Sequence, residues 1–422
     1  MLSAIAETQP SVRKNTKQLV TRNSQPATKY IPLPIMNHYP KLTLKHGKEQ
    51  ALDRKHPWIF SGAIHHIDPK LNDGDVAEVW TAKGNYLATG HFTNGSIMVR
   101  IISFSQRVLD AAFWKERILA AYVYRKRCGL ASTEDTNCFR LIHGEGDGLP
   151  GLVVDVYGST VVVQPHSPGM QLAAKEIATA IEDVLPNVAN IYLKPAETNN
   201  PDEGFIKGSL TEEVVKEHGN QFKVNWQTGQ KTGFFLDQRD NRELLGRYVK
   251  GKRVLNAFCY SGGFSVYAAK AGAATVHSVD SSSKAIGWTN ENAALNKVEQ
   301  NHQAYCEDVM QFLKQVEEPY EVMVLDPPAY AKHLSARHRA VQGYKRLNIM
   351  GLQKIAPGGI LFTFSCSQVV DRELFYHTIV AAAIEAGRNI RVMHHLSQPA
   401  DHPVNIFHPE GAYLKGLALY VE

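Results

Sequence analysis

The sequence predicts an α/β protein whose C-terminal part, residues 226–422, is a doubly wound, Rossmann-like domain, preceded by a small α+β domain and an N-terminal β-barrel. Three observations predict it. From Arg253 onward, apolar runs and helical patterns alternate as strand, helix, strand, the rhythm of a parallel sheet with crossover helices. Between about Lys41 and Ser105, short runs alternate apolar and polar residues at the period of two that marks half-buried strands. The chain has 422 residues, more than the roughly 250–300 at which one hydrophobic core usually stops growing.

Residues 1–35 carry Arg13, Lys14, Lys17, Arg22 and Lys29 against Glu7 alone and read as a flexible tail. The scarcity of acids also fits a transit peptide, but apolar periodicity is poor there, and Met36 offers an alternative start. Within the barrel, residues 36–107, glycine-containing turns separate Val76–Trp80, Tyr86–Phe92 and Ile97–Ile102. Residues 108–225 open with a connector helix, Val108–Arg127. Phe113, Ile118, Leu119 and Tyr122 form its apolar stripe, and Lys115, Arg117, Arg125, Lys126 and Arg127 lie outside it. The glycines and proline of Gly144–Gly151 enforce a turn before a hairpin of Val153–Tyr157 and Thr160–Gln164. A helix at Met170–Val184 and a strand at Asn190–Lys194 complete this α+β unit.

In the C-terminal domain the expected strands are Arg253–Ala257, Thr275–Asp280, His302–Cys306, Glu321–Asp326 and Gly359–Cys366. Helices are expected at Phe264–Ala271, Ser283–Leu295, Tyr344–Ile355 and Leu374–Ala386.

Composition excludes several classes. Hydrophobic residues make up 44% and charged residues 21%, unlike a disordered chain. No window approaches the roughly 18 apolar residues that span a bilayer, so no membrane partner is expected. The five cysteines, Cys128, Cys138, Cys259, Cys306 and Cys366, are odd in number and include no CxxC pair. They read as reduced thiols of a cytoplasmic protein, and no metal site is expected. A net charge of +5 is too small by itself to mark a nucleic-acid binder.

In a doubly wound sheet the ligand sits at the carboxyl ends of the strands. The first strand runs into Asn256-Ala257-Phe258-Cys259-Tyr260-Ser261-Gly262-Gly263-Phe264, where paired glycines let the backbone approach a ligand. The second ends in Asp280, next to Ser281, an acid placed to accept hydrogen bonds from two ribose hydroxyls. The third leads to Asp308, suited to an adenine amino group or, more simply, to capping a helix. A dehydrogenase would share these features. The fourth strand separates the two: it ends in Asp326-Pro327-Pro328, an acid held rigid where substrate must approach. The glycine turn also lacks the GxGxxG spacing that packs a pyrophosphate against a helix. The pattern suits S-adenosylmethionine, which has no phosphate to cradle.

The fifth strand ends in Ser365-Cys366-Ser367, which brings Cys366 to the same edge, beside Asp326. A packing cysteine is the ordinary alternative. Carbon 5 of a pyrimidine is a poor nucleophile and must first be activated by addition at carbon 6, for which a thiolate is suited. At an unperturbed pKa of about 8.5 few thiols are ionised at neutral pH, so a nearby cation or donor is expected to lower it. Asp326 would bind the base near N3 or its exocyclic amine.

Taken in order, Asn256–Phe264, Asp326-Pro327-Pro328 and Ser365-Cys366-Ser367 resemble the large-subunit (23S) ribosomal RNA cytosine-5 methyltransferase family, over about residues 40–422. The run Gln230-Lys231-Thr232-Gly233-Phe234-Phe235-Leu236-Asp237-Gln238-Arg239 resembles the motif with which that family covers its cofactor. The resemblance implies a cofactor site of Lys231, Thr232, Gly233, Phe234, Asn256, Ala257, Tyr260, Ser261, Gly262, Asp280, Ser281, Asp308 and Asp326, with Cys366 and Asp326 catalytic. It also implies that Arg54–Phe60 and Gly74-Asp75 belong to a PUA domain, an RNA-binding module. Lys48, Arg54, Lys55 and His56 are the expected RNA contacts, with Trp58 and Phe60 read as core rather than as stacking platforms. Members of that family are often dimeric, so a homodimer is one expectation.

Two alternatives stay open from the residues. An acid-Pro-Pro strand end also serves exocyclic amine methyltransferases, which need no cysteine. A noncatalytic RNA-binding assembly factor could keep a vestigial cofactor pocket and act through its barrel alone.

Overall fold

The structure, a computed structural model, describes residues 39–131, 133–196 and 200–422. The tail read at residues 1–35 lies outside them. The strands of the first sheet are β1 (Lys41–Leu44), β2 (Trp58–Phe60), β3 (Ile64–Ile67), β4 (Val76–Trp80), β5 (Tyr86–Phe92) and β6 (Ile97–Ser103). Their order is β2-β6-β5-β4-β1-β3, and β1 lies parallel to β4 while its other partner, β3, runs antiparallel. Alternate residues point inward, so Leu42, Leu44, Val79, Ala88, Val99 and Ile101 form the core.

The second sheet contains β7 (Cys138–His143), β8 (Leu152–Tyr157), β9 (Thr160–Pro165), β10 (Asn190–Leu193) and β11 (Gly204–Lys207), in the order β11-β10-β9-β8-β7. The helices Ala111–Arg127 and Ala174–Val184 pack on each other beside it. Asp110 caps the first of these by accepting from the Phe113 amide at 2.9 Å, which is why it starts at Ala111 and not at Val108. Arg125, read from sequence as outside the apolar stripe, is fully buried, and Leu119, read as inside it, is exposed. Arg125 is held by the Asp147 carboxylate and by the carbonyls of Arg140 and Asp401, at 2.7 Å each. Periodicity cannot foresee a guanidinium whose partners come from distant segments. A hairpin of β12 (Glu212–Glu217) and β13 (Asn220–Asn225) leads onward.

The third sheet has seven strands: β14 (Arg253–Ala257), β15 (Thr275–Asp280), β16 (His302–Cys306), β17 (Tyr320–Leu325), β18 (Ile355–Ser365), β19 (Ile390–Ser397) and β20 (Lys415–Val421). Their order is β16-β15-β14-β17-β18-β20-β19, and β20 runs antiparallel to both neighbours. The strand-helix rhythm of the sequence ends at Ala386, so these last two strands are not foreseen by it. An antiparallel strand needs no crossover helix, only a loop, here residues 398–414. The order reverses at β14, whose neighbours are β15 and β17, and a crevice opens there at the carboxyl ends.

Buried ion pairs join the second and third sheets. Arg239 donates to Asp401 at 2.9 Å and to the Cys138 carbonyl at 2.8 Å. The Arg140 amide reaches the same Asp401 oxygen at 2.9 Å, and Arg242 chelates Glu217 at 2.9 and 2.8 Å. Among the described residues, no helix is long and apolar enough to cross a membrane.

Candidate active site

A cavity of about 310 Å³ lies at the carboxyl ends of β14, β15, β17 and β18, and Lys231, Phe235, Tyr260, Asp280, Asp326 and Cys366 are among its walls. A larger depression of about 490 Å³, with Arg337, His338 and His377 in its wall, is built from helix ends. The carboxylate in that depression, Asp371, already caps a helix by accepting from Leu374 at 2.8 Å. The strand-end cavity is the one with a thiol, an ordered acid and a backbone shaped around a ligand.

That backbone is the turn after β14. Phe258, Tyr260 and Gly262 all have positive φ, 60°, 48° and 76°, and a left-handed conformation costs a non-glycine residue roughly 1–2 kcal/mol. A Cβ on Gly262 would meet Thr289 at 2.8 Å. The Asp280 carboxylate holds the turn by accepting from the Tyr260 amide at 3.0 Å and the Ser282 amide at 2.9 Å. Each oxygen keeps a further lone pair for a ligand hydroxyl. Tyr260 ties the turn to the preceding segment: its hydroxyl donates to the Gly233 carbonyl and accepts from the Gln230 amide, both at 3.0 Å. The Phe235 ring packs edge-on against Tyr260 at 5.0 Å.

At the far wall, two carboxyls are driven apart in acidity. Burial, reinforced by Asp237, pushes the Asp326 carboxyl up to about 7, against the hydrogen bond from Gln238 Nε2 at 3.0 Å and the Lys231 charge. Burial also acts on Asp237, but Lys231, His402 and the Tyr413 hydroxyl at 2.6 Å outweigh it and hold this carboxyl well below the usual range. Asp237 is therefore an anion, and Asp326 shares its proton with water near neutral pH.

Cys366 follows the last residue of β18 and is only half-buried at the cavity wall. Its thiol pKa is raised, first by burial and then by Asp326 and Asp237, with Lys231 opposing. The expected cation is present, but it does not lower the thiol in the ligand-free site because two carboxyls and desolvation outweigh it. The segment after Cys366 is fixed by Lys415, which donates to the carbonyls of Ser367 and Val370 at 2.6 Å each. Ser367 in turn donates to the Ala331 carbonyl at 2.7 Å.

Of the sequence-derived cofactor residues, Lys231, Phe234, Tyr260, Ser261, Asp280, Ser281 and Asp326 line the cavity. Thr232 does not: it is buried and donates to Asp155 at 2.5 Å, supporting the segment from behind. Gly233 contributes its carbonyl to Tyr260 and, with Gly262, shapes backbone rather than wall. Asn256 is buried, bonded to Ser265 at 2.8 Å, and Ala257 is packed in the sheet. Asp308 caps the helix Val309–Gln315 by accepting from Gln311 at 3.0 Å and is not among the wall residues. Sequence reasoning gave no role to Gln238 or Asp237, although both stand in the Gln230–Arg239 run, and it missed Tyr413 and Lys415 altogether.

On the barrel, Lys48, Arg54 and Lys55 are exposed, with the Lys55 ammonium 4.6 Å above the Phe104 ring. His56 is half-buried against Trp58. Phe60, read from sequence as core, is 50% exposed because it falls on the outward face at the end of the short strand β2. Trp58 is half-buried, its indole donating to Glu145 at 2.9 Å.

Residues 201–414 match the family of S-adenosylmethionine-dependent methyltransferases, and residues 42–104 match PUA-like domains. Ribosomal RNA large subunit methyltransferase I of Shewanella amazonensis is 38% identical over 395 residues, covering 90% of this chain and 99% of that protein. The protein of the same name from Klebsiella pneumoniae strain 342 is 37% identical over 396 residues, covering 91% and 98%. The chain belongs to this methyltransferase family. Its cofactor is S-adenosylmethionine, and a solved candidate methyltransferase complexed with SAH is 25% identical, with a TM-score of 0.78 over 90% of this chain and 99% of that one. A solved chain from Streptococcus mutans, 24% identical at the same TM-score, shares the fold.

The cavity fits that cofactor on its own chemistry. A strand-end carboxylate with free lone pairs and aromatic walls suit an adenosine. The turn has no GxGxxG spacing for a pyrophosphate, and adenosylmethionine needs none.

Proposed function

We propose that this protein methylates carbon 5 of a cytosine in 23S ribosomal RNA through a covalent adduct of Cys366, with Asp326 as the acid that binds the base. The substrate class rests on the names its relatives carry and on the likeness of residues 42–104 to PUA-like domains. The single observation that carries the chemistry is that the Cys366 thiol and the Asp326 carboxyl line one wall of one cavity.

Bound adenosylmethionine supplies an electrophilic methyl group. Tyr260, Ser261, Asp280 and Ser281 hold its adenosine end, and Lys231, Phe234 and Phe235 cover it. Asp326, near half-protonated at pH 7, donates to N3 of the cytosine as the Cys366 sulfur bonds to carbon 6. That proton neutralises the charge the sulfur pushes into the ring and leaves carbon 5 enamine-like. After methyl transfer, the carbon 5 proton passes to solvent, the sulfur departs as thiolate and N3 returns its proton to Asp326, which restores the neutral ring and the free cysteine. A site that seats the base against Asp326 also removes water from the thiol and the acid together. The protonated form of Asp326 no longer opposes ionisation of Cys366, so base binding and thiol activation are coupled. Lys48, Arg54 and Lys55 on the exposed barrel face supply phosphate contacts.

Cys366→Ala tests this reading. The expected outcome is loss of 5-methylcytosine in ribosomal RNA by mass spectrometry, with adenosylmethionine binding retained. Turnover near the wild-type rate in Cys366→Ala would overturn it and favour transfer to an exocyclic amine, which an Asp-Pro-Pro strand end also serves without a thiol.

A further inference from the structure

Where the barrel, the second sheet and the loop 398–414 meet, three side chains with metal-ligand chemistry converge: His56, His408 and Glu410. One ligand atom from each lies within 4.8 Å of the others. His56 Nε2 is 3.9 Å from one Glu410 oxygen, and His408 Nε2 is 3.8 Å from the other.

The decisive residue is His408. It is 3% exposed, yet neither ring nitrogen has a hydrogen-bond partner among the described residues. Leaving a buried polar group unpaired costs about 1–3 kcal/mol, so packing against Trp58 does not account for an imidazole here. His56 Nδ1 lies 3.2 Å from the Trp58 carbonyl and 3.1 Å from the Trp58 amide nitrogen, so it can donate to the one or accept from the other; the tautomer that donates to the carbonyl leaves the Nε2 lone pair facing Glu410. The Trp58 ring stands 4.4 Å from His408, and its indole is anchored on Glu145, whose negative charge also faces His408. The Asn405 side-chain amide donates to the Glu145 carbonyl at 3.2 Å, and the Asn405 carbonyl accepts from the His408 amide at 2.8 Å.

We propose that His56, His408 and Glu410 form a site for a zinc-class divalent cation that fastens the barrel to the loop leading to Tyr413 and Lys415. Two imidazoles and one carboxylate, with a fourth position left to water, are a zinc donor set rather than a magnesium or calcium one. Bonds of about 2.0–2.1 Å in a tetrahedron bring ligand atoms closer together than the gaps seen here. Rotation of the exposed Glu410 and the half-buried His56 closes the difference without moving His408. No metal site is expected from the sequence, because His56 and His408 are separated by most of the chain. The site also draws His56 away from the RNA contact expected of it.

The test uses the full-length protein after chelator treatment, titrated with Co²⁺ as a spectroscopic probe and with Zn²⁺ by calorimetry. One equivalent of Co²⁺ is expected to give visible d–d absorption that Zn²⁺ displaces, and Zn²⁺ is expected to raise the melting temperature. Glu410→Ala, at an exposed position, should weaken binding by more than roughly tenfold, since even second-shell partners are worth 10–100-fold. His56→Ala should do the same, so the result does not depend on His408→Ala folding. The proposal fails if wild-type protein takes up no stoichiometric Co²⁺. It also fails if Glu410→Ala and His56→Ala bind as tightly as wild type, or if the spectrum shows thiolate charge transfer, which would mean a cysteine holds the ion.

Discussion

Gln238 Nε2 donates to Asp326 across 3.0 Å, and this is the hydrogen bond that opposes the burial raising that carboxyl to about 7. A donor to a carboxylate favours its charged form, so Gln238→Ala should raise Asp326 further. Because the proposed step needs protonated Asp326 together with ionised Cys366, and the thiol is the weaker acid, the methylation rate should rise with pH and level off near about 7 in the wild type. In Gln238→Ala that break should move to higher pH. A pH profile of single-turnover rate measures it, and an unmoved break would show that Asp326 does not set the rate.

The Tyr260 hydroxyl bridges the turn after β14 to the segment Gln230–Gly233 through two hydrogen bonds. Tyr260→Phe keeps the ring against Phe235 and removes both bonds, each worth about 0.5–1.5 kcal/mol. The folded state should lose roughly 1–3 kcal/mol, since both bonds exist without the ligand, and adenosylmethionine should bind more weakly because the turn and the covering segment are no longer tied. Isothermal titration paired with a melting curve checks both halves.

Asp401 sits fully buried between Arg239 and the Arg140 amide, in the loop that β19 hands to β20. Asp401→Ala would leave Arg239 charged and unpaired on that side, and breaking a buried pair from one end costs about 3–5 kcal/mol. Urea unfolding should show that loss. Asp401→Asn, which keeps an acceptor for both donors, should fall between the two.

The sequence made legible what is local or repeated. Alternation at Arg253–Ala386 sufficed for a parallel sheet, and Asp280, Asp326 and Cys366 could be located because strand ends converge whatever the side chains are. What could not be read depends on meetings between distant segments. Arg125 has an ordinary place on a helix and becomes a buried ion only because Asp147 and Asp401 arrive from elsewhere. Thr232 sits in the run read as covering the cofactor, but its hydroxyl is claimed by Asp155 from the second sheet. Asp308, read as an adenine contact or a helix cap, has one oxygen engaged in capping the helix that begins one residue later.

Lys415 belongs to the same class, since it reaches the site only because β20 is inserted antiparallel beside β18 and faces Ser365 across the pairing. Its ammonium is buried, lowered to about 8 chiefly by that burial, and spends two bonds on the carbonyls of Ser367 and Val370. It touches neither the base nor the methyl donor in the proposed reaction, so it positions the segment that carries Cys366. Lys415→Met has nearly the same length but no donor, and it would strand two carbonyls at about 1–3 kcal/mol each. The Cys366 sulfur should then be misplaced by a fraction of an ångström. A misplacement of about 1 Å can lower kcat by roughly 100-fold when reacting atoms must stand in a near-attack arrangement, so a smaller loss, several-fold or more, is expected here. Adenosylmethionine affinity should be unchanged, because Lys415 is not in the cavity wall. A purely structural role would lower both together, so kcat measured beside the cofactor Kd in one variant separates the two.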